Sequence, residues 1–193
     1  MIHRTALGLT FVALTGASAA AQQLPVLLEI NVADPSAVVI TPTGNAATVM
    51  QTVGSVAGFT MTDLFATDFS IGFVTPDEAG TLMAPGMPGP YNRIANDFGA
   101  GNVDANDLNI WASGVGGEQQ WTTSVAAFSG TWTLDLTGAL FPAPGTRGDI
   151  WSDDSPNSDP PQGAILGAYI ITPAPGAGAL LAMGGVMLTR RRR

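Results

Sequence analysis

The sequence contains no cysteine and no lysine, and its single histidine is His3, close to the amino terminus. Without cysteine there is no disulfide framework, so the hydrophobic core must stabilise the fold without covalent cross-links. Catalytic arrangements that pair serine or cysteine with histidine, or serine with lysine, are excluded beyond residue 3. The nitrogen- and sulfur-rich sites that zinc and copper favour are excluded for the same reason. Carboxylates are therefore the remaining candidate acid–base groups.

Basic residues are scarce in the middle of the chain. Residues 22–175 carry all fifteen acidic residues but only two arginines, Arg93 and Arg147, which gives a formal charge of −13. A charge this negative argues against binding to nucleic acid or to anionic membrane surfaces, because both repel it. It favours solubility and permits cation binding. About 150 residues suit a single domain with a sizeable core.

The amino-terminal 21 residues have the three parts of a secretory signal peptide. Met1–Arg4 is short and basic, Ala6–Leu14 is apolar, and the small residues Ala19 and Ala21 mark a cleavage site before Gln22. Cleavage after Ala19 is an alternative to cleavage after Ala21. The apolar part is too short for a stable membrane span. We therefore expect an export signal, helical before removal, over residues 1–21.

The carboxyl-terminal residues 173–193 form a second signal-like segment. An apolar run, Gly176–Thr189, separates two short motifs. The motifs are Pro173, Ala174 and Pro175 before the run, and Arg190, Arg191, Arg192 and Arg193 after it. As a helix the run would be about 21 Å long, which is short for a hydrocarbon core of about 30 Å unless the arginines reach the headgroups. The alternative, a helix buried in a soluble core, conflicts with four adjacent arginines.

This tail resembles the PEP-CTERM sorting signal of exported bacterial proteins. The resemblance covers about the last 21 residues, and Ala174 stands where the family has glutamate. It implies recognition by an exosortase-type processing enzyme and transient anchoring in the inner membrane. It also implies delivery to the cell surface or extracellular matrix, with the tail cleaved or exchanged.

The region between the two signals alternates like β-strands and almost nowhere like helices. Val26, Leu28, Ile30 and Val32 would lie on one face of a strand, with Glu29 and Asn31 on the other. Trp132 alternates with threonines in the same way. We predict an all-β fold, a single antiparallel β-sandwich or jelly-roll-like domain over residues 22–172, flanked by the signal helix and a short apolar carboxyl-terminal helix. Other predicted elements are a strand at 37–40, a strand or short helix at 108–112, strands at 121–128 and 164–172, and Pro/Gly loops at 83–90 and 141–148.

One polar segment, residues 96–111, has the composition of a calcium site. Asn96, Asp97, Asp104 and Asp107 offer oxygen ligands around glycines, which is what calcium prefers. The segment resembles half of a dockerin repeat, with Phe98 and Ala100 where ligands are expected and no second repeat. The alternative is a polar turn leading into a short element whose Leu108 and Trp111 are buried.

Three functions remain open from the sequence. The first is a structural or interaction protein of the cell surface or the exopolysaccharide matrix, which needs no active site. The second is a jelly-roll module that binds carbohydrate, with or without calcium, through exposed tryptophans. The third is a glycoside hydrolase that uses two carboxylates roughly 5–10 Å apart. We assign Trp132 to the core, because it would share one face of the strand with Leu134 and Leu136.

Overall fold

The computed structural model describes residues 23–54, 56, 58–71, 80–95, 105–152 and 163–172. The predicted signal peptide and the predicted tail lie outside these residues. Within the described part, none of the helical structure is long and apolar enough to cross a membrane.

The described residues form ten strands and one short 3₁₀ helix, Pro35–Ala37. The first five strands are β1 (Val26–Asn31), β2 (Val38–Pro42), β3 (Gln51–Gly54), β4 (Phe59–Met61) and β5 (Arg93–Ala95). The second five are β6 (Leu108–Trp111), β7 (Glu118–Trp121), β8 (Trp132–Leu134), β9 (Arg147–Ser152) and β10 (Ile165–Thr172).

Eight of the strands form one curled sheet in the order β5-β6-β4-β9-β10-β1-β2-β8, and β3 with β7 forms a separate two-stranded ribbon. The prediction of an all-β, jelly-roll-like sandwich is confirmed. All strand pairs but one are antiparallel. The exception is β1 with β10, which are parallel and in which Asn31 lies opposite Thr172. A parallel pair needs a long connection, and here the whole intervening chain supplies it.

Strand boundaries differ from the sequence prediction in several places, two of which have a clear local reason. The predicted strand at 121–128 ends at its first residue, since β7 closes at Trp121 and Ser124 N–H then donates to Thr122 Oγ1 at 3.4 Å in a local turn. Strand β9 was not predicted, because it begins inside a segment that reads as a Pro/Gly loop. Residues 108–112, left open as strand or helix, contain strand β6.

Aromatic side chains fill the core between the sheets. The ring of Phe59 lies 5.1 Å from that of Tyr91 and 4.9 Å from that of Phe128, in edge and tilted contacts. Trp132 is 1% exposed, which confirms its assignment to the core. Trp121 is equally buried, at 1%. Such tilted aromatic pairs add about 0.5–1.5 kcal/mol each to the free energy gained from burial alone.

We predict that Trp132→Ala destabilises the protein by about 3–5 kcal/mol, because it empties a large aromatic site in the core. Urea unfolding followed by circular dichroism measures this loss. Leu140→Ala is the matched control, since Leu140 is 60% exposed and its truncation leaves no cavity. A loss below about 1 kcal/mol for Trp132→Ala would contradict its place in the core.

Candidate functional site at the tail end of the sheet

The parallel pairing of β1 with β10 decides from which side of the sheet the predicted tail leaves. Val26 lies opposite Ala168 and Asn31 lies opposite Thr172, so the start of β1 and the end of β10 are at opposite ends of the sheet. They are separated by about 13 Å along the strands, at 3.3 Å per residue. Pro173 follows Thr172 directly, so the tail begins at the end of a strand in the middle of the sheet.

We call this end of the sheet, where Thr172 lies, the tail end. The start of β9 belongs to it, because Arg147 lies opposite Ile170. The end of β4 and the start of β6 belong to it as well, through the registers of Met61 with Ile150 and with Leu108. Five of the eight described carboxylates lie in loops at the tail end. They are Asp34, Asp63, Asp68, Asp107 and Asp135.

The carboxylate of Asp107 stabilises the turn that follows β4. Its Oδ1 accepts a hydrogen bond from the backbone N–H of Asp63 at 2.8 Å. Asp63 has a φ of +56°, the left-handed conformation that only glycine adopts without cost. Asp107 is 7% exposed, so this bond forms largely away from water. Asp107, one of the four residues predicted to bind calcium, therefore has a structural hydrogen bond within the fold.

The other three predicted calcium ligands, Asn96, Asp97 and Asp104, lie outside the described residues. Within the described part of the chain, no group of three or more His, Asp or Glu side chains is placed to hold a metal ion. Leu108 and Trp111 are 0% and 6% exposed. Both are thus buried, as the polar-turn interpretation of this segment expects.

Tyr169 of β10 lies opposite Gly148 of β9 and bonds to the turn that follows β4. Its hydroxyl donates to the carbonyl oxygen of Thr62 at 2.7 Å. Burial raises the pKa of Tyr169 well above its ordinary value, and the nearby charges of Asp63, Asp107 and Asp149 raise it further. The phenol is therefore held in its neutral, donating form, and it cannot act as a base near neutral pH.

Gly148 makes room for the Tyr169 hydrogen bond. A Cβ at this position would lie 2.5 Å from the carbonyl oxygen of Thr62 and would also strike the Tyr169 ring. Sequence reasoning did not single out Tyr169 or Gly148. A tyrosine within an otherwise apolar strand, such as Tyr169 between Ala168 and Ile170, was the available signal, because a buried phenol needs a partner.

A second buried polar network lies under the β3–β7 ribbon. Tyr91 Oη donates to Gln119 Oε1, and Gln119 Nε2 donates to the carbonyl oxygen of Gly54 at 2.9 Å. Both side chains are 0% exposed. Burial raises the pKa of Tyr91, so this phenol is also neutral. The network therefore ties the ribbon to the segment that leads into β5.

Two exposed carboxylates at the tail end are held by their own turns. Asp34 Oδ1 accepts from Ser36 N–H at 2.9 Å and from its hydroxyl at 2.7 Å. Asp135 Oδ1 accepts from Thr137 in the same way, at 2.9 and 2.6 Å. These bonds lower the pKa of each carboxyl, because they favour the charged form. Both groups therefore carry negative charge at this end down to acidic pH.

A cleft of about 520 Å³ opens beside the start of β1 and is lined by Gln23, Leu24, Pro25 and Thr48. Thr48 Oγ1 donates to the carbonyl oxygen of Ile165 at 2.7 Å, which ties one wall to β10. The described residues that line the cleft include no carboxylate. They offer amide, hydroxyl and carbonyl groups, which can bind a ligand but cannot perform acid–base catalysis at neutral pH.

Comparison of the chain with protein-family models, with curated proteins and with solved structures gives no match. The function is therefore argued from this chain's own residues.

We predict that Asp107→Ala destabilises the protein by about 1.5–3 kcal/mol in calcium-free buffer, because the Asp63 N–H loses a charged acceptor. Urea unfolding in the presence of EDTA measures this. Asp68→Ala serves as a control from the same end of the sheet. If Asp107→Ala and the wild-type protein differ only when 1 mM calcium is added, Asp107 acts as a metal ligand instead of a structural acceptor.

The chain has only two tyrosines, and both have raised pKa values, so we predict that neither ionises near pH 10 while the protein is folded. A raised folded-state pKa contributes stability that is complete below pH 10 and is lost as the pH rises further. Absorbance at 295 nm should stay flat through pH 10 and increase only as the protein unfolds. Tyr169→Phe removes one of the two linked groups and should weaken the alkaline loss of stability. A normal titration of either tyrosine in the folded protein would contradict its burial.

Proposed function

We propose that this chain is an exported protein with a structural or interaction role at the cell surface or in the extracellular matrix, delivered there by its carboxyl-terminal tail. The observation that carries the proposal is the order of three features: a folded strand that ends at Thr172, the Pro173–Pro175 motif, and an apolar run closed by Arg190–Arg193. The body between the signals has a charge of −13 and the four terminal arginines carry +4.

The geometry at Thr172 supports a tail that a processing enzyme can reach. Strand β10 is paired on both sides, with β9 and with β1, and the pairing with β1 extends to Thr172. Proline has no backbone N–H, so Pro173 and Pro175 cannot continue a central strand of the sheet. We propose that an exosortase-type enzyme recognises this motif directly after the folded body.

The burial of the tryptophans favours a structural role over a carbohydrate-binding module. Trp111, Trp121 and Trp132 are each at most 6% exposed. Trp151 is half-buried in strand β9. Stacking on a sugar ring needs an accessible aromatic face, and these three side chains are already packed in the core. An association with exopolysaccharide would then rest on loops and on surface polar groups.

The four arginines at the end of the tail provide the first test of the sorting proposal. Deletion of Arg190–Arg193 should release the protein into the medium or leave it misrouted, because the positive cluster fixes the orientation of the apolar run in the membrane. Cell fractionation with immunoblotting measures the retained fraction. The matched control replaces the four arginines with four lysines, which keeps the charge and should keep membrane orientation.

Surface retention that is unchanged by the deletion would count against the sorting proposal. Mass spectrometry of the retained wild-type protein adds an independent readout. If the tail is processed, the mature carboxyl terminus should lie after Thr172. An intact terminus ending in Arg193, on protein recovered from the cytosol, would refute both export and processing.

A further inference from the structure

Strand β3 has one unpaired edge. It pairs with β7 on one side, and no described strand lies on its other side. A two-stranded ribbon is marginally stable alone and gains stability when further strands are added. An open edge also presents unpaired N–H and C=O groups, which form a template for another strand.

The ladder geometry shows which groups of β3 face outward. Gln120 of β7 donates its N–H to Pro85 O at 2.8 Å, so this N–H points away from β3. In an antiparallel pair, opposite residues exchange both of their hydrogen bonds or neither. Thr52 lies opposite Gln120, so the N–H and C=O of Thr52 point to the open edge. The period of two also turns the N–H of Gly54 outward, whereas the carbonyl oxygen of Gly54 accepts from the buried side chain of Gln119.

This edge lacks the usual protection against pairing. Charged side chains, prolines and bulges normally protect such edges, and Gln51–Gly54 contains none of them. Two apolar side chains flank the strand and are largely exposed: Met50 is 76% exposed and Val56 is 64% exposed. At the edge of the large sheet, by contrast, β5 has Ile94 and Ala95 buried.

We propose that the open edge of β3 is a self-association surface on which a second copy of this chain pairs its own β3, antiparallel, to give a four-stranded sheet. A twofold axis through Thr52 places this residue opposite Thr52 of the second copy, and the two residues exchange their outward hydrogen bonds. The same register places Met50 opposite Gly54 of the second copy. One largely exposed methionine is thereby covered at each end of the shared ladder.

The charge distribution selects this edge for contact between two copies. Each body carries −13, so most approaches of one copy to another bring carboxylates together. The β3 edge is neutral, and the acidic residue of the ribbon is Glu118, which lies opposite Gly54 on the far strand β7. In the four-stranded sheet the two Glu118 residues are at least three strand spacings apart, about 14 Å. That distance exceeds the Debye length of about 8 Å at physiological ionic strength.

The shared surface is small, so the dimer should be weak and reversible. Two short strands and two methionine side chains fall below the roughly 1,200 Å² buried in stable complexes. Because the copies repel each other through their net charge, added salt should strengthen the association by screening that repulsion. Strengthening by salt distinguishes this neutral ladder from an interface held by ion pairs.

Sedimentation equilibrium of the whole chain over a dilution series, at low and at high salt, tests the proposal. Thr52→Pro removes the outward N–H and leaves the bonds between β3 and β7 intact. Met50→Asp places a charge beside the second copy. Leu140→Asp is the matched control, with the same added charge on a residue that is 60% exposed at the tail end. We expect at least tenfold weaker association for the two β3 variants and wild-type association for Leu140→Asp.

Circular dichroism confirms that each variant is folded, and Met50→Asp decides the question if Thr52→Pro does not fold. The tail is present in every variant, so any association through it cancels in the comparison. A wild-type protein that stays monomeric at every concentration would overturn the proposal. Equal association of wild type and folded β3 variants would overturn it too.

Discussion

The pairing of β1 with β10 is the interaction on which the sheet depends. It joins the first strand of the body to the last, with the whole domain as the intervening loop, and it lies among the central strands. Such non-local contacts are costly to form, because the closure entropy of the long loop must be overcome before the contacts contribute. No disulfide helps to hold the two strands together, since the chain has no cysteine. The large sheet therefore cannot be completed until Thr172 is in place.

The same pairing organises the surface of the molecule. It places the point where the predicted tail begins among loops that carry five carboxylates, while β1 starts at the other end of the sheet. Asp107 shows that these acids are not simply solvated, since its carboxylate stabilises the left-handed Asp63 turn. Tyr169 and Gly148 fix the neighbouring strands through the Thr62 carbonyl. Acidic residues at this end thus serve packing and local geometry as well as solubility.

Several parts of this arrangement could be predicted from the sequence, because they depend on local chemistry. Alternation at Val26–Ile30 and at Trp132–Leu136 predicts strands with one buried face. Strand β8 follows it, whereas β1 also buries Leu27 on its other face. Strand β9 escaped prediction because Gly148, which packs against Tyr169, reads as a loop residue without knowledge of its neighbour. The segment after Trp121 reads as a strand by its apolar content, yet the Thr122 hydroxyl turns the backbone there. At Gly148 a tertiary contact outweighs the local hydrophobic pattern, and after Trp121 a side-chain hydrogen bond does so.

The sequence alone determined the all-β class and the burial of Trp132, because hydrophobic alternation is a local property of the chain. It also predicts the two terminal signals from the order of their apolar and basic residues. Only the tertiary structure decided which strands are neighbours, that β1 and β10 run parallel, and that β3 keeps an open edge. It also decided that Asp107 stabilises a turn. These features depend on which residues distant in the chain come together, and strand pairing energies are similar enough that local patterning does not specify the partner.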